Sequence, residues 1–142
     1  MTRIITLLNE KNHYLEKFYS LNEVELANFA QGQFDNLEYF YQTRERILEV
    51  LKYVDAQLDK AQSEMEATQT NLDEAARAEV REALTIKDEY VTRIIEQDIQ
   101  VLACIEMAKN SIIKELQEVR RNRKGLGGYK TKTFTNRLDE EV

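Results

Sequence analysis

Few residues of this chain have the type and spacing that catalysis or metal binding requires. Glu10 and His13 stand in the E-x-x-H spacing of di-iron ligands in helical bundles, but those sites need two such motifs and further glutamates. The chain has one histidine, so we expect an exposed His13 without a metal. Its one cysteine, Cys104, adjoins an apolar helical position and is expected to be a packed thiol rather than a nucleophile.

Other signatures of catalysis are also missing from the sequence. It contains no glycine-rich phosphate loop, no zinc-ligand spacing and no recognisable catalytic triad. The many carboxylates are most simply a solvated helix face. We therefore predict a protein that is not an enzyme and has no cofactor.

The composition is typical of long helices that pack through apolar seams. The chain has 142 residues, no proline, four glycines, 42% hydrophobic and 32% charged residues. Its net charge of −6 disfavours nucleic acid and anionic membranes as partners. The apolar start is interrupted by Glu10 too early for a signal peptide, and no segment approaches the ~20 apolar residues of a membrane helix. With a single cysteine, these features indicate a cytoplasmic protein without membrane insertion.

The pattern predicts an all-α fold of three helices over about 3–30, 33–68 and 72–124. Gly32 ends the first helix, and neither glycine nor proline occurs from there to Gly125. A polar segment over 67–76 predicts a turn between the second and third helices. We expect one helical domain over 1–124 and a flexible C-terminal tail over 125–142. The predicted buried face of the first helix consists of Ile4, Leu8, Leu15, Phe18, Leu26 and Phe29.

An arginine interrupts the apolar seam of the second helix. The apolar members of this seam are Phe34, Leu37, Tyr41, Leu48 and Leu51. The third helix has a matching seam that contains Lys87 and Asp98. If the two helices form a hairpin about Asn71, both seams align, Arg44 faces Asp98, and Asp55 faces Lys87. We predict both pairs, because a buried unpaired charge is costly and polar seam residues specify register.

The same pairs could form between two chains if residues 33–124 were one continuous helix in an antiparallel homodimer. The polar segment over 67–76 favours the hairpin. The second helix has another apolar stripe, formed by Phe40, Ile47, Val54 and Ala61, which the first helix would cover. The prediction is an antiparallel three-helix bundle built on a long coiled-coil hairpin.

The end of the third helix extends beyond the residues with which the hairpin can pair it. Its apolar positions include Ile112, Leu116 and Val119, which must therefore contact the first helix, another subunit or a client. Residues 120–132 contain basic residues and no acid, which suits a helix C-terminus. The tail beyond is interpreted either as a mobile end or as a flexible peptide that docks Tyr129, Leu126 or Phe134 on a partner.

The segments "GQFDNL" and "RERIL", around Gly32 and Arg44, resemble the recurring core of the flagellar type III export chaperones of the FlgN/FliT family. The resemblance covers residues 5 to 60 and, more loosely, the long third helix and the tyrosine in the tail. It implies a small cytoplasmic all-helical chaperone. Such a chaperone binds the C-terminal amphipathic segment of a hook-associated or filament-cap protein, prevents premature polymerisation and delivers it to the type III export gate.

By position, the resemblance places client binding at Ile112, Leu116 and Val119. It places docking on an export gate component at Tyr129, although the acidic end of the chain has no counterpart in the family. One alternative is a self-associating coiled-coil scaffold without a secretion client. A helical transcription regulator that uses the basic stretch from Arg120 is a further alternative, which the net charge opposes.

Overall fold

The computed structural model describes residues 2–126, and every regular element in that range is a helix. Helix α1 comprises Arg3–Ala30, α2 comprises Leu37–Ala67 and α3 comprises Glu74–Leu126. The protein is an all-α three-helix bundle, as predicted. The proposed tail over 125–142 lies outside the described residues, except for the last two positions of α3.

The chain divides into two compact units, Met1–Leu102 and Ala103–Val142. The first contains α1, α2 and the beginning of α3, and these three segments form the bundle. In the second unit the described part is the remainder of α3. The predicted domain over 1–124 includes residues of both units.

Gly32 ends α1 through a Schellman motif. Its φ of 72° is left-handed, its N–H donates to the carbonyl of Phe29 (2.9 Å), and the Gln33 N–H donates to that of Asn28 (2.9 Å). The Phe34 ring then stacks on Phe29, with centroids 5.0 Å apart. Residues 33–36 are used in this turn, so α2 begins at Leu37 rather than at the predicted residue 33.

The hairpin turn between α2 and α3 lies where the polar segment predicted it. Gln69 adopts a left-handed φ of 55°, and the N–H of Thr70 donates to the carbonyl of Met65 (2.9 Å). Asp73 caps the start of α3, because its Oδ1 accepts the N–H of Ala76 at 2.7 Å. One continuous helix over 33–124 is therefore excluded for this structure.

The core of the first unit consists of apolar side chains from all three helices. One cluster is formed by Leu15, Phe18, Ile47, Leu51 and Ile94, and a second by Leu7, Val54 and Ala61. The second stripe of α2, which includes the completely buried Phe40 and Val54, is thus buried as predicted. Helix α1 covers it through Leu7, Leu15 and Phe18.

Candidate protein-binding surface

Arg44 forms the predicted ion pair with Asp98 inside the first unit. Its Nη2 lies 2.9 Å from Asp98 Oδ2, and the two side chains are 24% and 30% exposed. The guanidinium carbon also lies 5.0 Å from the centroid of the Phe18 ring, which is a cation–π arrangement. Arg44 therefore contacts both other helices, and its pairing sets the register of α2 against α3.

A buried amide layer continues from Asp98 towards α1. The Asn22 side chain is completely buried, and its Nδ2 donates to Asp98 Oδ1 (3.3 Å) and to Gln97 Oε1 (3.1 Å). Gln97 Nε2 donates in turn to Glu23 Oε1 (2.7 Å) and to the Tyr19 carbonyl (3.2 Å). These bonds set the register of α1 against α3, because a shift would leave buried polar atoms unpaired.

This amide layer was not predicted from the sequence. Asn22 interrupts the apolar stripe of α1 between Phe18 and Leu26, just as Arg44 interrupts that of α2. Gln97 lies between Ile94 and Val101 on the buried face of α3 in the same way. A polar residue at a helical seam position was therefore the available signal.

The predicted pair between Asp55 and Lys87 is wrong. Asp55 Oδ1 instead accepts a hydrogen bond from Lys11 Nζ of α1 at 2.6 Å, and Lys87 Nζ contacts its neighbour Asp88 at 2.7 Å. Asp55 and Lys87 both line an open groove of ≈ 990 Å³ near the hairpin turn. The Asp55 carboxylate is therefore paired with a cation of α1 rather than with one of α3.

That groove, termed the hairpin groove, has apolar walls from all three helices. Its main apolar lining residues are Ile4, Leu8, Leu58, Met65, Val80 and Leu84. Leu84 of this lining is substantially exposed.

Tyr41 and Leu48, two predicted seam residues of α2, are also substantially exposed. They lie one turn on either side of Arg44, outside the stripe of Phe40 and Ile47 that α1 covers. On α3, Ile95 and Leu102 flank Asp98 in the same way. Since Arg44 and Asp98 are paired, these four side chains lie along one side of the α2–α3 contact.

Ile99 extends this apolar surface, which we term the α2/α3 face (Tyr41, Leu48, Ile95, Ile99 and Leu102). Ile99 and Leu102 are 64% and 66% exposed, which is high for large aliphatic side chains at helical spacing. Neither was predicted, because both lie on a stripe of α3 beside the predicted seam and not in the seam itself. Exposed apolar side chains grouped in this way are typical of interaction sites, which makes the α2/α3 face a candidate.

In the second unit, the predicted client residues lie on one face of α3. Ile112 and Val119 are 58% and 39% exposed, Leu116 is partly buried, and Met107 nearby is exposed as well. The spacing of four and then three residues keeps Ile112, Leu116 and Val119 on one stripe. The predicted docking residue Tyr129 lies outside the described residues.

The residues considered first for chemistry have ordinary surroundings. His13 is exposed, as expected, and lies edge-on to Tyr14, while Cys104 is a partly buried free thiol. Within residues 2–126, no three histidine, cysteine or acidic side chains form a group able to hold a metal ion. Over the same residues, no helix has an apolar stretch long enough to cross a membrane.

Comparisons of the chain with protein-family models, with curated proteins and with solved structures found no match. What this chain binds must therefore be inferred from its own surfaces and contacts.

Proposed function

We propose that this chain is a cytoplasmic export chaperone for an axial flagellar protein. It binds the C-terminal helical segment of a hook-associated or filament-cap protein, prevents its premature polymerisation and delivers it to the type III export gate. The observation that carries the proposal is the series of exposed aliphatic side chains on α3. They occur at helical spacing in each unit, at Ile99 and Leu102 and again at Ile112 and Val119.

The physical basis is the recognition of an amphipathic helix by an apolar surface. A polymerisation segment must bury its apolar stripe, and the exposed residues of α3 supply a matching surface until the segment is exported. In the first unit, Arg44 and Asp98 occupy the seam beside the α2/α3 face. Their polar contacts hold α2 and α3 in register, so the surface is preformed.

The proposal assigns client binding to Ile112, Leu116 and Val119 and export-gate docking to Tyr129. An aromatic residue loses little side-chain entropy on binding and is a common anchor at interfaces. Lys130 and Lys132 beside Tyr129 would speed encounter with an acidic partner surface.

The deciding experiment measures the affinity of the purified chain for the C-terminal segments of hook-associated and filament-cap proteins by calorimetry. Replacing Ile112, Leu116 and Val119 together with serine should weaken binding by about 100-fold or more, since each loses a contact of about 1 kcal/mol or more. The matched control replaces Asn110, Gln117 and Asn122, which are exposed polar residues of the same helix segment, with serine.

The serine variant should keep the melting temperature and helicity of the control variant. If it unfolds, the stripe belongs to the core and the client assignment is wrong. If neither segment binds the native chain, the chaperone function itself is wrong.

The alternative, a self-associating coiled-coil scaffold, uses the same exposed stripe. It predicts that sedimentation shows a concentration-dependent oligomer that the three serine substitutions dissociate. Added client segment would leave that oligomer unchanged, whereas a chaperone would form a complex of chaperone and client.

A further inference from the structure

A second groove lies between α1 and α2 and includes no residue of α3. It has a volume of ≈ 690 Å³, and its lining extends along α1 from His13 to Glu25 and along α2 to Val50. The apolar lining residues are Tyr14, Leu21, Val24, Tyr39, Ile47 and Val50. Val24 and Tyr39 are largely exposed. This α1/α2 groove shares no residue with the α2/α3 face or with the hairpin groove.

One of the residues that line the α1/α2 groove, Glu25, has an almost completely buried side chain. The Glu25 side chain is 1% exposed, and its Oε1 has no hydrogen-bond partner. An ionised carboxylate without a donor is unfavourable in such surroundings, and native structures rarely leave a buried polar atom unpaired. None of the ion pairs among the described residues involves Glu25. A leucine at this position in the core stripe of α1 would be buried without the cost of an unpaired carboxylate.

A donor that enters from the groove would pair with this carboxylate, because the groove's own cations, Lys17 and Arg46, form no ion pair with it. A lysine or arginine side chain is the matching group, because it brings both a positive charge and N–H donors on a long apolar stem. The groove follows α1 from His13 to Val24, a length of about 16 Å at 1.5 Å per residue. A helix of about 11 residues spans that length and would cover Val24 and Tyr39 with its apolar face.

We propose that the α1/α2 groove binds an amphipathic helix of a partner protein that carries one lysine or arginine within its apolar face. That cation pairs with Glu25 when the helix docks, and the aliphatic and aromatic walls bury the apolar face around it. Glu25 acts as a specificity-determining residue. A helix with an acidic or uncharged polar residue at this point leaves the carboxylate unpaired and binds weakly.

The probes are fluorescein-labelled 15-residue amphipathic helical peptides with a leucine-based apolar face. One lysine is placed at each position of that face in turn, and each peptide has a twin in which the lysine is Nε-acetylated. At least one lysine peptide should bind at least about tenfold more tightly than its acetylated twin, as measured by fluorescence anisotropy. Acetylation keeps the length of the side chain and removes its charge, so the difference reports the charge alone.

The protein variants are Glu25→Gln and, as the matched control, Glu16→Gln, a change at an exposed glutamate on the rim of the same groove. The preference for lysine should disappear in Glu25→Gln and persist in Glu16→Gln. It should also weaken little when Ile112, Leu116 and Val119 are replaced with serine, which separates this groove from the proposed client surface.

Several results would overturn the proposal. If the protein binds no lysine peptide more tightly than its acetylated twin, Glu25 does not receive the cation. The same follows if the preference for lysine survives Glu25→Gln. If methylammonium chloride at millimolar concentration abolishes the preference, the site accepts a small cation rather than a helix. If Glu25→Gln changes the sedimentation coefficient of the free protein, the occupant is a second copy of this chain. The absence of any lysine preference on the native protein would by itself overturn the proposal, even if Glu25→Gln folds poorly.

Discussion

The ion pair between Arg44 and Asp98 is the contact whose energy can be worked out most directly from the structure. A double-mutant cycle with Arg44→Met and Asp98→Asn removes each charge while keeping most of each side chain. The methionine side chain in Arg44→Met keeps an apolar stem over Phe18, and the amide in Asp98→Asn keeps an oxygen that accepts the hydrogen bond from Asn22. Each single variant should lose stability, and the double variant should lose less than the sum of the two.

The expected coupling energy follows from the distance and the exposure. Two unit charges about 4 Å apart attract by about 4 kcal/mol at an effective dielectric constant of about 20. Solvent reaches 24% of the Arg44 side chain and 30% of the Asp98 side chain, which screens the attraction. Desolvation offsets a further part, so we expect a coupling of about 1–2 kcal/mol, above the ~0.2–1 kcal/mol of exposed pairs.

The assay is urea unfolding at low salt, because guanidinium chloride would screen the charges. The control cycle uses Arg3→Met and Glu64→Gln, a pair between α1 and α2 at 3.9 Å with side chains 50% and 57% exposed. Its coupling should be below about 0.5 kcal/mol and should vanish in about 1 M NaCl, where the Debye length is about 3 Å. An Arg44–Asp98 coupling equal to that of the control would refute its role in setting the register.

Exchanging the charges, Arg44→Asp with Asp98→Arg, tests the same pair in the reverse orientation. The double variant should be more stable than the two single variants predict together, because opposite charges still meet. It should remain less stable than the native protein, because Asn22 would then present its N–H group to a guanidinium and Phe18 would lose its cation. Merely additive effects would show that the two positions are not coupled.

Three further predictions concern the turn, the second ion pair and the tail. Gln69→Gly should raise the free energy of unfolding by about 0.5–1 kcal/mol, because glycine adopts the left-handed conformation without strain, and urea unfolding measures the gain. Lys11→Met should cost more stability than Lys87→Met in the same assay, since Asp55 pairs with Lys11, and equal costs would contradict that assignment. Tyr129→Ala should leave folding and client affinity unchanged but reduce export in a secretion assay; normal export would leave the tail without the proposed docking role.

The helices and most of their limits could be predicted from local features of the sequence. A chain without proline, and without glycine between Gly32 and Gly125, has few ways to interrupt a helix. The predicted limits of α1 match the structure, because its end depends on Gly32 alone. The start of α2 could not be predicted as well, because residues 33–36 pack back through the stacking of Phe34 on Phe29, a contact between side chains of different elements.

The candidate surfaces were less predictable than the helices. The stripe of Ile112, Leu116 and Val119 could be recognised from spacing and from the unequal lengths of the helices. The α2/α3 face could not, because exposure of Tyr41 and Leu48 depends on where α1 packs. Glu25 also escaped sequence reasoning, since a glutamate beside Leu26 is expected to point to solvent unless the neighbouring helix covers it.

Periodicity and charge pattern were sufficient for one feature of the tertiary structure, the pairing of Arg44 with Asp98. Two helices joined by a short turn have few registers, and an unpaired charge in the seam disfavours the others. The choice of Lys11 over Lys87 for Asp55 and the burial of Glu25 arose only when α1 packed on the hairpin. Each depends on how three helices meet at one point, and a pattern read along one or two helices carries no information about the third.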